Sequence, residues 1–270
     1  MNLPNKIQLT QVQETLFITL HAKAIDHRSK NSILNDAKAD EILQQVDYDF
    51  RKMESFGNDN LLLVRAKQYD EWLREFLKAN HKAVVVNLGC GLDTRVSRIN
   101  PPAGVFWFDV DYPEVIQLRE KFYSNREGYQ MIASSITDAQ WLTPIPRERP
   151  TMIIADGVLE YLSVDEAKVL LNRITDHFSQ GQIVFDVMSG YAIQAGRSRA
   201  SQTTGALQKW AVNEPGEVDR LNPKLNRTEA ISLFSSPYLQ QLPWAFRGLY
   251  RLVALMPRYR NMIRLLRYEL

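Results

Sequence analysis

Apolar and polar residues recur along this chain with two different periods, and the change between them falls near residue 80. From Thr10 to about Arg28 the spacing predicts a helix, with Thr10 as its cap and Gln13 three residues on. Asp36 to about Val46 predicts a second, short helix. Leu61 to Ala79 predicts a third, in which Leu61, Val64, Trp72, Leu73, Phe76 and Leu77 recur at helical spacing. Beyond residue 80, short continuous apolar runs take over: Ala83–Leu88, Val105–Val110, Met152–Ala155 and Ile183–Val187. Runs of that length without alternation are strands buried on both faces, as in a parallel sheet. Pro113–Tyr123 and Ser163–Phe178 read as helices between them, the latter opening on a capping box of Ser163 and Glu166. Strand alternating with helix predicts a doubly wound α/β sheet. The expected organisation is a helical N-terminal cover over residues 1–80 and a sheet domain over 81–270, interrupted by an insertion at about 190–245.

Composition adds mainly exclusions. Of 270 residues 45% are hydrophobic and 24% charged, which is ordinary for a globular chain. A formal charge of +2 gives no reason to expect nucleic acid as a partner. The single cysteine, Cys90, cannot form an internal disulfide, and with scattered histidines it offers no metal-ligand spacing. The N-terminal residues lack a signal peptide's basic stretch and apolar core, and no run reaches the roughly 18 apolar residues of a membrane span. A soluble cytoplasmic protein is therefore expected. Residues 245–270 hold six arginines against one acid, Glu269. That excess reads either as a solvated face with arginines lying over apolar neighbours or as a helix resting on a membrane surface.

Candidate chemistry gathers at the end of the first strand, in NLGCGLDTR (87–95). In doubly wound sheets ligands sit at the carboxyl ends of strands. Gly89 and Gly91 fill the first two places of a dinucleotide fingerprint, but Thr94 stands where the third glycine would be. The next strand ends in Asp109 and Asp111, either of which can accept hydrogen bonds from ribose hydroxyls. A glycine pair, no third glycine and a ribose acid fit an adenosyl cofactor without a pyrophosphate, such as S-adenosylmethionine. A nicotinamide oxidoreductase and a purely structural turn remain alternatives at this point.

Four stretches, NLGCGLDTR, FDVDYPEVIQLR, ASSITDAQWL and IIADGVLEYL, resemble in order the motifs of the leucine carboxyl methyltransferase family, in particular its branch acting on polyketides and other small molecules. ETLFITLHAKA, ILNDAKADEIL and LLLVRAKQYDEWLREFL fit the same pattern. The resemblance spans nearly the whole chain. It implies a class I methyltransferase sheet with a helical N-terminal cover, and S-adenosyl-L-methionine as cofactor. Carried over position by position, it places Arg65 on the cofactor's methionine carboxylate, with Lys23 as a looser match beside it. Gly89 and Gly91 pass under the methionine portion. Asp111 matches the ribose acid, with Asp109 as runner-up. Ser135 and Ile136 fall at adenine, Ser135 where other members have aspartate. Asp156 stands where the family usually has glutamate, near the cofactor's amino group.

The implied reaction is O-methylation of a carboxyl or hydroxyl group on a small molecule. The alternatives are methylation of a protein C-terminal carboxyl, and a scaffold that binds cofactor without turnover. None of His21, His27, His81 and His177 lies in a motif that marks a base, so no catalytic residue is assigned. Tyr191, Trp210, Tyr238 and Trp244 are the candidates to line an apolar acceptor pocket. The pattern leaves the oligomeric state open.

Overall fold

The computed structural model describes residues 16–46, 59–196 and 207–270. The start of the first expected helix, with Thr10 and Gln13, lies outside them.

A seven-stranded sheet forms the centre, in the order β3-β2-β1-β4-β5-β7-β6. The strands are β1 (Val84–Leu88), β2 (Phe106–Asp111), β3 (Tyr129–Ala133), β4 (Thr151–Ala155), β5 (Gly181–Met188), β6 (Asn226–Ser232) and β7 (Ile263–Glu269). The first five run parallel, while β7 is antiparallel to β5 and β6 antiparallel to β7. Four strands match the apolar runs of the sequence. Strands β3 and β6 do not, and the closing segment, open between helix and strand, ends as β7. Residues 190–245 thus contain a sheet strand, β6, besides loop and helical turns.

Period-two packing is visible in β1, where Val84, Val86 and Leu88 enter one core and Val85 the other. On one face lies α3 (Asp59–Ala79), with Val64, Tyr69, Trp72, Leu73, Phe76 and Leu77 against Val85, Met152, Ile154 and Val184. On the other lies α6 (Val164–His177), with Ala167, Leu170, Leu171 and Ile174 against Val84, Val86 and Ile153. The expected capping box of α6 is present in both directions: Glu166 N–H donates to Ser163 Oγ, and Ser163 N–H donates to Glu166 Oε2.

Helices α1 (Leu16–His27) and α2 (Ala37–Gln45) pair with each other and lie across the loop after β1. Their shared core of Leu16, Phe17, Leu20, Ala24, Ala39 and Ile42 reaches Leu92 in that loop and Val115 and Leu118 of α5 (Pro113–Arg119). Among the described residues the remaining helices are α4 (Arg95–Ile99), α7 (Gly190–Gly196), α8 (Gly216–Asp219), α9 (Trp244–Leu255) and α10 (Pro257–Arg260). Among the described residues, no helix is long and apolar enough to cross a membrane.

Candidate cofactor and acceptor site

Strand order reverses between β1 and β4, since β2 and β3 extend to one side and β5 to the other. Above that point, at the carboxyl ends of β1, β2 and β4, lies a cavity of about 1040 Å³. Ligand pockets typically measure roughly 300–1,000 Å³, so this one stands at the upper end of that range.

The floor is the loop after β1. Gly89 and Gly91 both hold positive φ, +60° and +47°. A Cβ on Gly89 would stand 2.6 Å from Val158 Cγ2, and one on Gly91 would stand 3.0 Å from Leu16 Cβ. Glycine is therefore required twice over, by backbone conformation and by space. Gly91 N–H donates to Asp111 Oδ2 at 2.7 Å, and Tyr112 N–H donates to Asp111 Oδ1 at 2.8 Å. Asp111 is thus held at the cavity wall with lone pairs to spare. Burial, only partly offset by those two N–H donors, pushes its carboxyl up to about 6.

Asp109 lies one rung deeper on the same side of β2. It is fully buried, with Arg119, the Tyr129 hydroxyl and Trp107 Nε1 on its carboxylate, and does not line the cavity. The geometry therefore favours Asp111 for contact with a ligand. Ile136 lines the cavity, as does Ser134. Ser135 does not, and its hydroxyl meets that of Thr137 at 2.8 Å.

Lys23, Arg65 and Asp156 all line the cavity, but in an ion-pair lattice rather than as free charges. Lys23 Nζ is 2.6 Å from Asp93. Arg65 spans Asp156 at 2.7 Å and Asp186 of β5 at 2.9 Å. Arg95, fully buried, reaches Asp70, Asp93 and Asp156 at once. Arg98 joins Asp70 to Asp36, the cap of α2. The lattice ties α1, α2 and α3 to the loops after β1 and β4. Burial opposes charge on Arg65, yet Asp156 and Asp186 outweigh it and hold its pKa above the ordinary arginine value. Burial likewise opposes charge on Asp93, but Arg95 and Lys23 hold it well below the usual carboxylate range. At Asp186 burial wins over Arg65, and its pKa rises. Four cations (Lys23, Arg65, Arg95, Arg98) face five aspartates (36, 70, 93, 156, 186), so the lattice favours a ligand of net positive charge.

The sequence reading missed Glu160. It sits in the 3-10 turn Leu159–Tyr161 after β4, lines the cavity, and is buried. Its backbone carbonyl accepts from Lys209 and Trp210, which fixes the turn. Its Oε2 has no hydrogen-bond partner among the described residues. Burial and the charge of Asp186 push its carboxyl up to about 8, against the pull of Arg65. The only advance signal was an acid in a loop following a buried parallel strand.

None of the four aromatics expected to line the pocket does so, whereas Tyr112 and Tyr161 do. Trp210 belongs to the core, Tyr238 packs toward α3, Tyr191 meets Tyr259, and Trp244 is exposed. The wall away from the glycine loop is aliphatic instead: Met188, Ala192, Ala195, Leu207, Met262 and Ile263. None of the four histidines lines the cavity. Among the described residues, no group of His, Cys, Asp and Glu is arranged to hold a metal ion.

Comparison with known proteins places this geometry. Residues 17–175 match the leucine carboxyl methyltransferase family. The tetracenomycin polyketide synthesis O-methyltransferase of Streptomyces glaucescens is 37% identical over 97% of this chain and 98% of its own. An S-adenosyl-L-methionine-dependent methyltransferase of Gibberella zeae is 31% identical over 83% of each. A crystal structure of a candidate methyltransferase from Thermobifida fusca superposes with a TM-score of 0.59 at 17% identity, covering 92% of this chain and 93% of its own, which shows the shared fold.

Proposed function

The chain belongs to the leucine carboxyl methyltransferase family and is an S-adenosyl-L-methionine-dependent methyltransferase, and we propose that it methylates a carboxyl or hydroxyl oxygen of a small, largely apolar molecule of the polyketide type. The observation that carries this reading is one continuous cavity running from the glycine loop to an aliphatic wall.

The residues fit the cofactor. The glycine pair leaves a cradle that a Cβ would fill. The excess carboxylate of the lattice complements a ligand whose sulfonium, ammonium and carboxylate sum to +1. Asp111 takes the ribose hydroxyls, Ile136 and the neighbouring Ser134–Ser135 turn the adenine. Asp156 faces the ammonium, and Arg65 with Lys23 faces the carboxylate. Bound there, the cofactor supplies a methyl group already activated on sulfur.

The chain must then hold the acceptor oxygen in line at about 3–3.5 Å and exclude water. Leu16, Ile18 and Thr19 of α1 and Leu207–Lys209 close the cavity from two sides. Glu160, buried and with its Oε2 unpartnered among the described residues, is a group able to move a proton there. Protonated, it donates a hydrogen bond to a carboxylate acceptor; ionised, it takes the proton of a phenol or enol.

The test is transfer of a labelled methyl group to a panel of aromatic hydroxyl and carboxyl acceptors, with a C-terminal peptide as control. Product on the small molecules supports the reading, and methylation of the peptide alone overturns it. The pH profile separates the acceptors. For a phenol, kcat/KM rises with pH through the Glu160 titration; for a carboxylate it falls.

A further inference from the structure

The cavity leaves the arginine-rich C-terminal segment unexplained. From residue 230 to residue 268 the chain has no aspartate or glutamate and six arginines. Two of these are paired with acids elsewhere: Arg264 with Glu214, and Arg267 with Glu75 and Glu229. Arg247, Arg251, Arg258 and Arg260 form no ion pair among the described residues. Arg251 donates to the Gln240 side-chain oxygen, and Arg258 lies over the Tyr191 ring.

These four sit on α9 and α10, Arg247 and Arg251 lining a cleft with Phe234, Leu239 and Gln240, and the same segment carries an apolar face that no described residue covers. Trp244 is 79% exposed, Leu252 64% and Leu255 77%, with Leu249 and Met256 about half exposed. Leu249, Leu252 and Leu255 recur at i, i+3 and i+6 of α9, so they form one stripe, with Trp244 at the first residue of the helix and Met256 just past its end. The opposite side of α9 is anchored by Tyr250, which packs on Phe234. Asp59 acts electrostatically on Tyr250 at that anchor. An ordinary soluble surface scatters single apolar residues; a contiguous stripe of leucines with a tryptophan at its end marks a contact surface.

We propose that α9 and α10 dock on an anionic lipid surface, the leucine stripe entering the interface and the four arginines meeting acidic headgroups. Charge complementarity selects this occupant. A second copy of the chain laid symmetrically on the stripe would bring two sets of unpaired arginines together, which is repulsive. An anionic bilayer offers apolar depth and negative charge in the same layer. Trp244 at the end of the helix suits such a boundary, since its ring is apolar and its N–H polar. The face also adjoins the cavity. Tyr259 of α10 packs on Tyr191 of α7, whose Ala192 and Ala195 are lining residues, and Met262 and Ile263 follow directly after α10. An apolar acceptor dissolved in the bilayer would meet the enzyme beside its cavity.

The experiment is co-sedimentation of the full chain with vesicles of phosphatidylcholine alone or with about one-third phosphatidylglycerol. Binding is expected to the anionic vesicles only. It should weaken about fivefold for each arginine removed in Arg247→Gln and Arg251→Gln, fall as salt rises, and vanish in Leu252→Glu/Leu255→Glu. Cofactor binding by each variant, expected to be unchanged, shows that it has folded. Absence of binding, equal binding to neutral vesicles, or indifference to Leu252→Glu/Leu255→Glu overturns the proposal. A dimer in solution that this double variant dissociates, without lipid binding, gives the face to a second copy and overturns it equally.

Discussion

Glu160→Gln is expected to change how stability depends on pH while leaving the fold in place. In the unfolded chain this carboxyl ionises near 4.5; in the folded chain burial and Asp186 push it up to about 8. Between those values the folded state keeps a proton that the unfolded state has released. The stabilisation is therefore fully present below about 4.5 and is lost as pH rises through about 8. At about 1.4 kcal/mol per pKa unit, the ceiling on that loss is about 5 kcal/mol. Glutamine has nearly the same shape and no proton to lose. The two proteins should therefore melt within a degree or two of each other at about pH 5, and the variant should be the more stable one at about pH 9. For a chain of this size 1 kcal/mol moves Tm by about 2 °C, so the gap opens toward about 10 °C at most. Thermal melting of cofactor-free protein across that range measures it. A constant offset at every pH refutes the reasoning. Glu160 would then ionise like a surface acid, and its proton-moving role in the cavity would fall with it.

Asp111, held up near 6 by burial, should bind ribose hydroxyls best when ionised. Cofactor affinity measured by calorimetry is then expected to weaken about tenfold per pH unit below that value, and a flat profile between about pH 5 and 8 contradicts the assignment. Gly89→Ala forces a side chain into a positive-φ position against Val158 and should cost about 1–3 kcal/mol, read as a shift in denaturant midpoint; no shift means the turn is not cramped. Arg95→Leu takes one buried cation from three carboxylates at once, leaving Asp70 to Arg98, Asp93 to Lys23 and Asp156 to Arg65, and should cost about 3–5 kcal/mol. Arg95→Lys should recover little, because one ammonium cannot span three partners that a guanidinium fork reaches at once; a lysine variant as stable as wild type refutes the lattice's part in holding α3 to the loops.

The parts legible in the sequence and the parts that were not divide by the kind of force involved. Strands β1, β2, β4 and β5 announce themselves because both faces are buried, so every residue in Val84–Leu88 or Thr151–Ala155 except Asn87 and Thr151 answers to the same hydrophobic demand. Strand β3 alternates buried Tyr129 and Met131 with more exposed neighbours, and β6, at the sheet edge, is largely exposed; neither produces an apolar run. The glycine pair and Asp111 were legible because backbone conformation and chemistry confine them to a few residue types at close spacing. The lattice around Arg65 and Arg95 was not. Its partners lie as far as 121 positions apart, and nothing in the spacing of an arginine on α3 says that it will be buried against two aspartates rather than solvated. Burial and neighbouring charge compete at such places: Arg95 and Lys23 win at Asp93 and leave it more acidic, while burial wins at Asp186 and leaves it less so, and burial with the charge of Asp186 leaves Glu160 with a proton near neutrality. The same logic explains the aromatics. Trp210 and Trp244 are alike as letters, yet one fills the core and the other stands in solvent on α9, because an aromatic's role is set by what the fold turns toward it. Hydrophobic pattern thus located the sheet and the strand ends over which the cavity lies, while the ion-pair lattice beside it emerges only when distant carboxylates are brought together.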